Sequence, residues 1–153
     1  MDKGLKILHN PKRIGIRAVM EVAGVLDKPL SASTIAFSIA PRLNAAGRLG
    51  SAATAVELLL TNDESRAREL ALLLDTENKE RQQTERQIFD EALELIAKDP
   101  NFEKKKVIVL AQENWHQGVI GIVASRLCDM YYKPCILISH TNGCLLYTSP
   151  SPR

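Results

Sequence analysis

The sequence predicts an α/β chain in which a run of small helices leads into one long connecting helix and then into a β-α-β unit. Three observations carry this. No strand pattern occurs before residue 106. After Thr61 no Pro or Gly occurs until Pro100, which leaves room for an uninterrupted helix. Beyond residue 106 two short apolar runs rich in β-branched residues flank a helical pattern.

In order along the chain, "KRIGIRAVMEVAGVL" at 12–26 sets Ile16, Val19, Met20, Ala23 and Leu26 at helical spacing between Pro11 and Pro29. A short helix is expected over 33–39. The stretch "APRLNAAGRLGS" reads as a loop by its Pro41, Asn44, Gly47 and Gly50, and Ser51 is placed to cap the helix "AATAVELLL". Thr61 and Asn62 are cap candidates for the long helix, with Asp63 and Glu64 at its positive end.

That helix would run about 35 residues, on the order of 50 Å. Ala67, Leu70, Ala71 and Leu74 form one apolar stripe and Ile88, Ala92, Leu95 and Ile96 another, yet Asp75 to Gln87 holds no apolar residue. A helix that is polar all round between two apolar ends reads as a strut crossing solvent between domains. Two helices joined by a loop is the alternative. Glu77 and Arg81 favour continuity as an i,i+4 pair.

"VIVLA" at 107–111 and "PCILIS" at 134–139 read as buried parallel strands, joined by a helix from about Gly118 to Tyr131. Val119, Ile120, Val123, Ala124, Leu127, Met130 and Tyr131 form its packing arc. Gly118, Gly121, Ser125 and Asp129 lie opposite.

Composition excludes several functions. With 153 residues, 45% apolar, the chain holds one ordinary core or parts of two domains. No apolar run approaches the roughly 18 residues of a spanning helix, and the first 20 residues lack a secretory signal pattern, so a cytoplasmic protein is expected. Net charge is only +2, so a nucleic-acid surface would have to be local. Three cysteines without a CxxC pair fit a reducing compartment. Cys135, His140 and Cys144 make a weak zinc pattern that a strand cysteine and two loop residues explain equally well.

Two stretches could bind an anion. In "ENWHQGVIGIVASR" the helix start offers backbone N–H groups and the positive dipole end, His116 a donor, and Trp115 a stacking face. Against this, Trp115 could be core, His116 a cap and the glycines a helix contact. In "PRLNAAGR", Arg42 and Arg48 are phosphate forks, Asn44 tolerates a turn and Gly47 allows close approach. A helix ending at a glycine cap, with two solvated arginines, explains the same letters. The aspartates are scattered without a DxD or DHH cluster, and the three histidines sit in unrelated contexts, so no hydrolytic site can be argued from the residues.

In order, "IAPRLNAAGRLGSAATAVELLLT", "LALLLDTENKERQQTERQIFDEA" and "VIVLAQENWHQGVIGIVASRLCDMYYKPCILIS" resemble the central part of the RecJ family of single-stranded-DNA-specific exonucleases, in the DHH phosphoesterase superfamily. The resemblance covers roughly residues 4–139. It implies a DHH domain holding Mn²⁺ or Mg²⁺ through Asp and His residues, joined by a long helix to a DHHA1 domain, with single-stranded DNA passing between them and degraded from its 5′ end in repair and recombination. Residues 1–60 then correspond to the end of the DHH domain, 61–98 to the connecting helix and 99–139 to the start of DHHA1. Arg42, Asn44, Gly47 and Arg48 match the family's substrate-side motif, and Trp115, His116, Gly118, Gly121 and Arg126 its cleft-facing DHHA1 motif; Ser125 joins them from the small-residue face.

The implied metal ligands would lie upstream of Met1, so the fragment is expected to be inactive alone. The family would continue after Ser139 with a glycine- and serine-rich phosphate motif. This chain instead reads "HTNGCLLYTSPSPR", so 140–153 is expected to be irregular and, from about Gly143, to be translated sequencing-adapter rather than native sequence. Alternative readings are a non-catalytic nucleic-acid-binding module, or a DHH-family phosphodiesterase for short oligonucleotides or cyclic dinucleotides. The length of the strut argues against the last.

Overall fold

A computed structural model describes residues 2–141, 144–148 and 150 of the chain. They divide into two compact units, residues 1–81 and 82–153.

The first unit is helical. α1 (Asp2–Leu8) and α2 (Ile14–Val22) precede α3 (Ala32–Thr34), a π-helical turn (Ile35–Ile39), α4 (Ala40–Leu49), α5 (Ala52–Leu60) and the first part of α6 (Glu64–Ala97). Val19, Met20, Leu58, Ala67, Leu70 and Leu74 are central to its core. Close packing of α2 on α5 requires Gly15, because a Cβ there would lie 1.8 Å from the Leu58 carbonyl oxygen.

The stretch "APRLNAAGRL" is helix, not the expected loop. Ser31 and Thr34 start the run with a capping box, Ser31 Oγ accepting from the Thr34 N–H. Pro41 does not break it. In a regular α-helix its ring would meet the carbonyl four residues earlier, and the wide π-helical turn just before it relieves that contact. Gly47 therefore lies inside the helix, and Gly50 caps it. Ser51 caps α5 as expected, accepting from the Ala53 N–H.

α6 is one continuous helix of 34 residues. Its cap is Asp63, one or two residues later than expected, whose carboxylate accepts from the N–H groups of Ser65 and Arg66 at 2.8 and 3.1 Å. The division between the two units falls inside the polar stretch. That stretch does not stand wholly in solvent. Asp75, Asn78 and Arg81 are buried, and with Ala67, Leu70, Leu74, Ile88, Ala92 and Ile96 they recur at helical period, with half-buried Glu85 between Arg81 and Ile88. Burial of polar side chains is tolerated because they are paired: Arg81 donates to Asn78 Oδ1, and Asp75 receives Arg42.

The second unit carries the rest of α6, a 3₁₀ turn (Phe102–Lys104), β1 (Ile108–Glu113), α7 (Gln117–Tyr131), β2 (Cys135–Thr141) and β3 (Cys144–Thr148). β1 and β2 are parallel with Ile108 opposite Cys135, which with α7 makes the expected β-α-β unit. β3 adds antiparallel on the other side of β2, Leu137 opposite Thr148. Residues 140–153, expected to be irregular, thus contain the end of β2 and all of β3.

Two further expectations change. β1 is an edge strand with one covered face, so Val109 is 54% exposed and the run is not buried on both sides. In α7 the packing arc is Val119, Ile120, Val123, Ala124, Leu127 and Cys128, while Met130 turns outward. Tyr132 ends the helix in the left-handed region at φ 54°. Among the described residues no helix is long and apolar enough to cross a membrane.

Candidate nucleic-acid interface

The two stretches that the sequence offers as candidate anion sites lie in different units, α4 in the first and the head of α7 in the second.

On α4, Asn44, Gly47 and Arg48 recur at i, i+3 and i+4 and are exposed together. A Cβ built on Gly47 would meet nothing within 4 Å, so the backbone itself is open there. Arg42 points elsewhere, correcting its expected role as a substrate fork. Its Nε donates to Asp75 Oδ1 at 2.8 Å and its Nη1 donates to the Ser38 carbonyl, so the guanidinium joins the π-helical turn to α6. Burial works against ionisation of Asp75, but Lys79 and Arg42 outweigh it and hold the carboxyl below its usual range. Two residues further along α6, Glu77 packs beside Gly50, its Oε1 2.9 Å from the position of a Cβ. Burial, then the neighbouring Glu80, push its carboxyl up.

At the head of α7, Asn114 takes a left-handed φ of 64° and its N–H donates to the His140 carbonyl, which turns the chain out of β1. His116 is the cap. Its Nδ1 accepts from the Gly118 N–H at 3.1 Å, and its carbonyl accepts from Val119 and Ile120. The N–H groups of Gly118, Val119 and Ile120 are therefore already engaged. With Nδ1 accepting, a neutral imidazole carries its proton on Nε2, and the ring is half-buried.

Trp115 is core. It is 2% exposed, its Nε1 donates to Glu91 Oε2 at 2.7 Å, and its carbonyl accepts from Ser139 Oγ. It offers no stacking face, because its ring is buried and its Nε1 is held by Glu91 of α6. Arg126 is likewise committed within the unit, bonded to Glu85 at 3.0 Å and lying over the Phe89 ring at 4.1 Å. Gly118, Gly121 and Ser125 do share a face, and Ser125 Oγ donates to the Gly121 carbonyl. Gly121 has only Thr148 Oγ1 near it, at 3.6 Å from a built Cβ, so no helix contact within the described residues requires a glycine.

The partners Asp75, Glu85, Glu91 and Ser139 were not singled out from the sequence, since they stand 33, 41, 24 and 24 residues from the groups they hold. Phe37 reads from the sequence, with Thr34 and Ile35, as the start of a second apolar patch, whereas the structure leaves its ring 81% exposed, four residues before Pro41 and seven before Asn44.

Metal ligation does not fit these residues. Among the described residues no group of three or more His, Cys, Asp or Glu converges. Cys135 and His140 are five apart on β2 and so face opposite sides. The Cys144 side chain falls outside the described residues. A cavity of about 770 Å³ between α2 and the start of α6, lined by Arg17, Glu21, Glu64 and Arg68 among others, shares no residue with either stretch.

No protein-family model matches the chain. It is 43% identical over 136 residues to the single-stranded-DNA-specific exonuclease RecJ of Haemophilus influenzae, covering 88% of this chain and 24% of the relative. To RecJ of Bacillus subtilis it is 38% identical over 135 residues, covering 88% and 17%. The crystal structure of Thermus thermophilus RecJ in complex with Mg²⁺ superposes with a TM-score of 0.80 at 36% identity, over 98% of this chain and 23% of that one. The Mn²⁺ complex gives 0.77 at 38%, over 90% and 20%. The chain thus spans roughly a fifth of the length of these relatives. The match over 98% runs into the segment expected to be non-native.

Proposed function

We propose that this chain is a segment of a RecJ-family protein and that the whole protein is a metal-dependent exonuclease degrading single-stranded DNA from the 5′ end, in repair and recombination. The observation that carries the reading is the match in both sequence and fold over nearly the whole segment, at 36–43% identity. On this reading residues 1–60 close a DHH domain, 61–98 connect, and 99–139 begin a DHHA1 domain. The Mn²⁺ or Mg²⁺ used by the enzyme is held by residues other than those described here.

This segment then supplies grip rather than bond cleavage. Arg48 and Asn44 present donors to a strand, and Gly47 lets the backbone come near. Half-buried His116, with Gly118, Gly121 and Ser125, offers a low-relief surface along which a phosphodiester chain can lie. Supporting this division of labour are the exposure of Asn44, Gly47, Arg48 and Ser125, the partial exposure of His116, Gly118 and Gly121, and the burial of Trp115.

The test uses 5′-labelled single-stranded DNA. The 153-residue chain is expected to release no nucleotides with Mn²⁺, whereas the full-length protein releases them progressively; metal-dependent hydrolysis by the chain alone would refute the assignment of its role. In the full-length protein, Arg48→Ala should weaken strand binding and flatten its salt dependence by about one phosphate contact.

A further inference from the structure

Resting on the nucleic-acid reading above, we propose that Phe37 is a base-stacking residue, the aromatic end of the α4 strand-binding face.

Four observations converge on it. Phe37 is 81% exposed, although a phenylalanine ring is an apolar group that water disfavours. It sits in the π-helical turn, a form that occurs mostly as single turns inside helices and often at functional sites. Phe37, Pro41, Asn44 and Arg48 follow at spacings of four, three and four, which sets them along one side of the helical run. Finally, residues 28–56 contain Lys28, Arg42 and Arg48 but no Asp or Glu, in a chain that is 25% charged and nearly balanced.

Together these make a row of aromatic ring, proline, amide, open backbone and guanidinium; the carboxylates packed against α4 come from α6, Asp75 on Arg42 and Glu77 beside Gly50. From Phe37 to Arg48 is eleven residues, on the order of 16 Å at the helical rise, the reach of a few extended nucleotides. A single strand suits this row because its bases are unstacked and available to the ring while its phosphates reach the arginine. A duplex would hide its base faces. Trp115 cannot serve as the stacking aromatic, being buried and bonded to Glu91.

Equilibrium binding of the full chain to two fluorescent oligomers of equal length, oligo-dT and a wholly abasic strand, tests the inference. A base on an aromatic contributes about 1–3 kcal/mol, so Phe37→Ala should weaken oligo-dT binding by roughly 5- to 150-fold. Abasic binding should stay within about twofold, and Phe37→Trp should restore oligo-dT binding. Thermal melting of Phe37→Ala should match the parent, since an exposed ring leaves no cavity. Equal weakening for both oligomers, or a lowered melting temperature without base selectivity, would overturn the inference and make Phe37 a packing residue. Unchanged Phe37→Ala binding, with Arg48→Ala still weakened, would overturn the stacking alone. Failure of the parent chain to bind either oligomer would overturn the α4 face as a strand site altogether.

Discussion

Replacing Asp75 by Asn removes one charge from the pair that ties α4 to α6 while keeping side-chain size. Arg42 and Asp75 are 18% and 10% exposed, with Nε and Oδ1 2.8 Å apart. Exposed pairs contribute about 0–1 kcal/mol, while removing one partner of a fully buried pair costs about 3–5 kcal/mol because the other charge is left uncompensated. This pair stands between those limits. Lys79 also pairs with Asp75, 2.8 Å from Oδ2, but as a largely exposed group it is screened by solvent. A loss of about 2 kcal/mol follows, or roughly 4–8 °C in Tm for a chain of this size. Urea denaturation at pH 7 measures it.

The sign with pH is fixed by the direction of the shift. Lys79 and Arg42 hold the Asp75 carboxyl below its ordinary value despite opposing burial. Its contribution is therefore complete above the unfolded-state value of about 3.9 and is lost as pH falls through the lower folded value. The difference between parent and Asp75→Asn should be constant near neutrality and shrink below about pH 4. A loss under about 0.5 kcal/mol at pH 7, or a difference that does not narrow in acid, would refute the reasoning. So would a double-mutant cycle with Arg42→Ala that shows no coupling.

Gly15→Ala should destabilise by about 3 kcal/mol or more, because the new methyl meets the Leu58 carbonyl, a backbone group that moves only if α2 and α5 separate; denaturation with urea reads this directly. Gly121→Ala should instead stabilise by up to about 1 kcal/mol, since the site is helix interior with ordinary space around it. The same variant should bind single-stranded DNA more weakly if a strand lies against this face, so gain of stability with unchanged binding would remove Gly121 from the interface.

Helix existence was legible where periodicity and caps agreed. Ser51, the apolar arc of α7 and the β-α-β order all follow from local spacing. The α4 segment was misread because Pro41, Asn44 and Gly47 are breakers by composition, and only the π-helical turn ahead of them makes a helix affordable there. Burial of Asp75, Asn78 and Arg81 was hidden for a related reason: hydrophobic pattern reading treats polar residues as surface, whereas pairing lets them occupy a core stripe. The fate of the site residues depended on partners far along the chain. Nothing near Trp115 or Arg126 announces Glu91, Glu85 or Phe89, and those contacts turn a stacking ring and a phosphate fork into structural groups.

By itself, then, the sequence determined the class of fold, the long helix, the parallel strand pair and the family resemblance, because each rests on residues close together or on motifs in order. Only the tertiary structure decided which of the candidate residues still face outward. That choice depends on which donors and rings are claimed by groups tens of residues away, a matter of three-dimensional packing that no local spacing encodes.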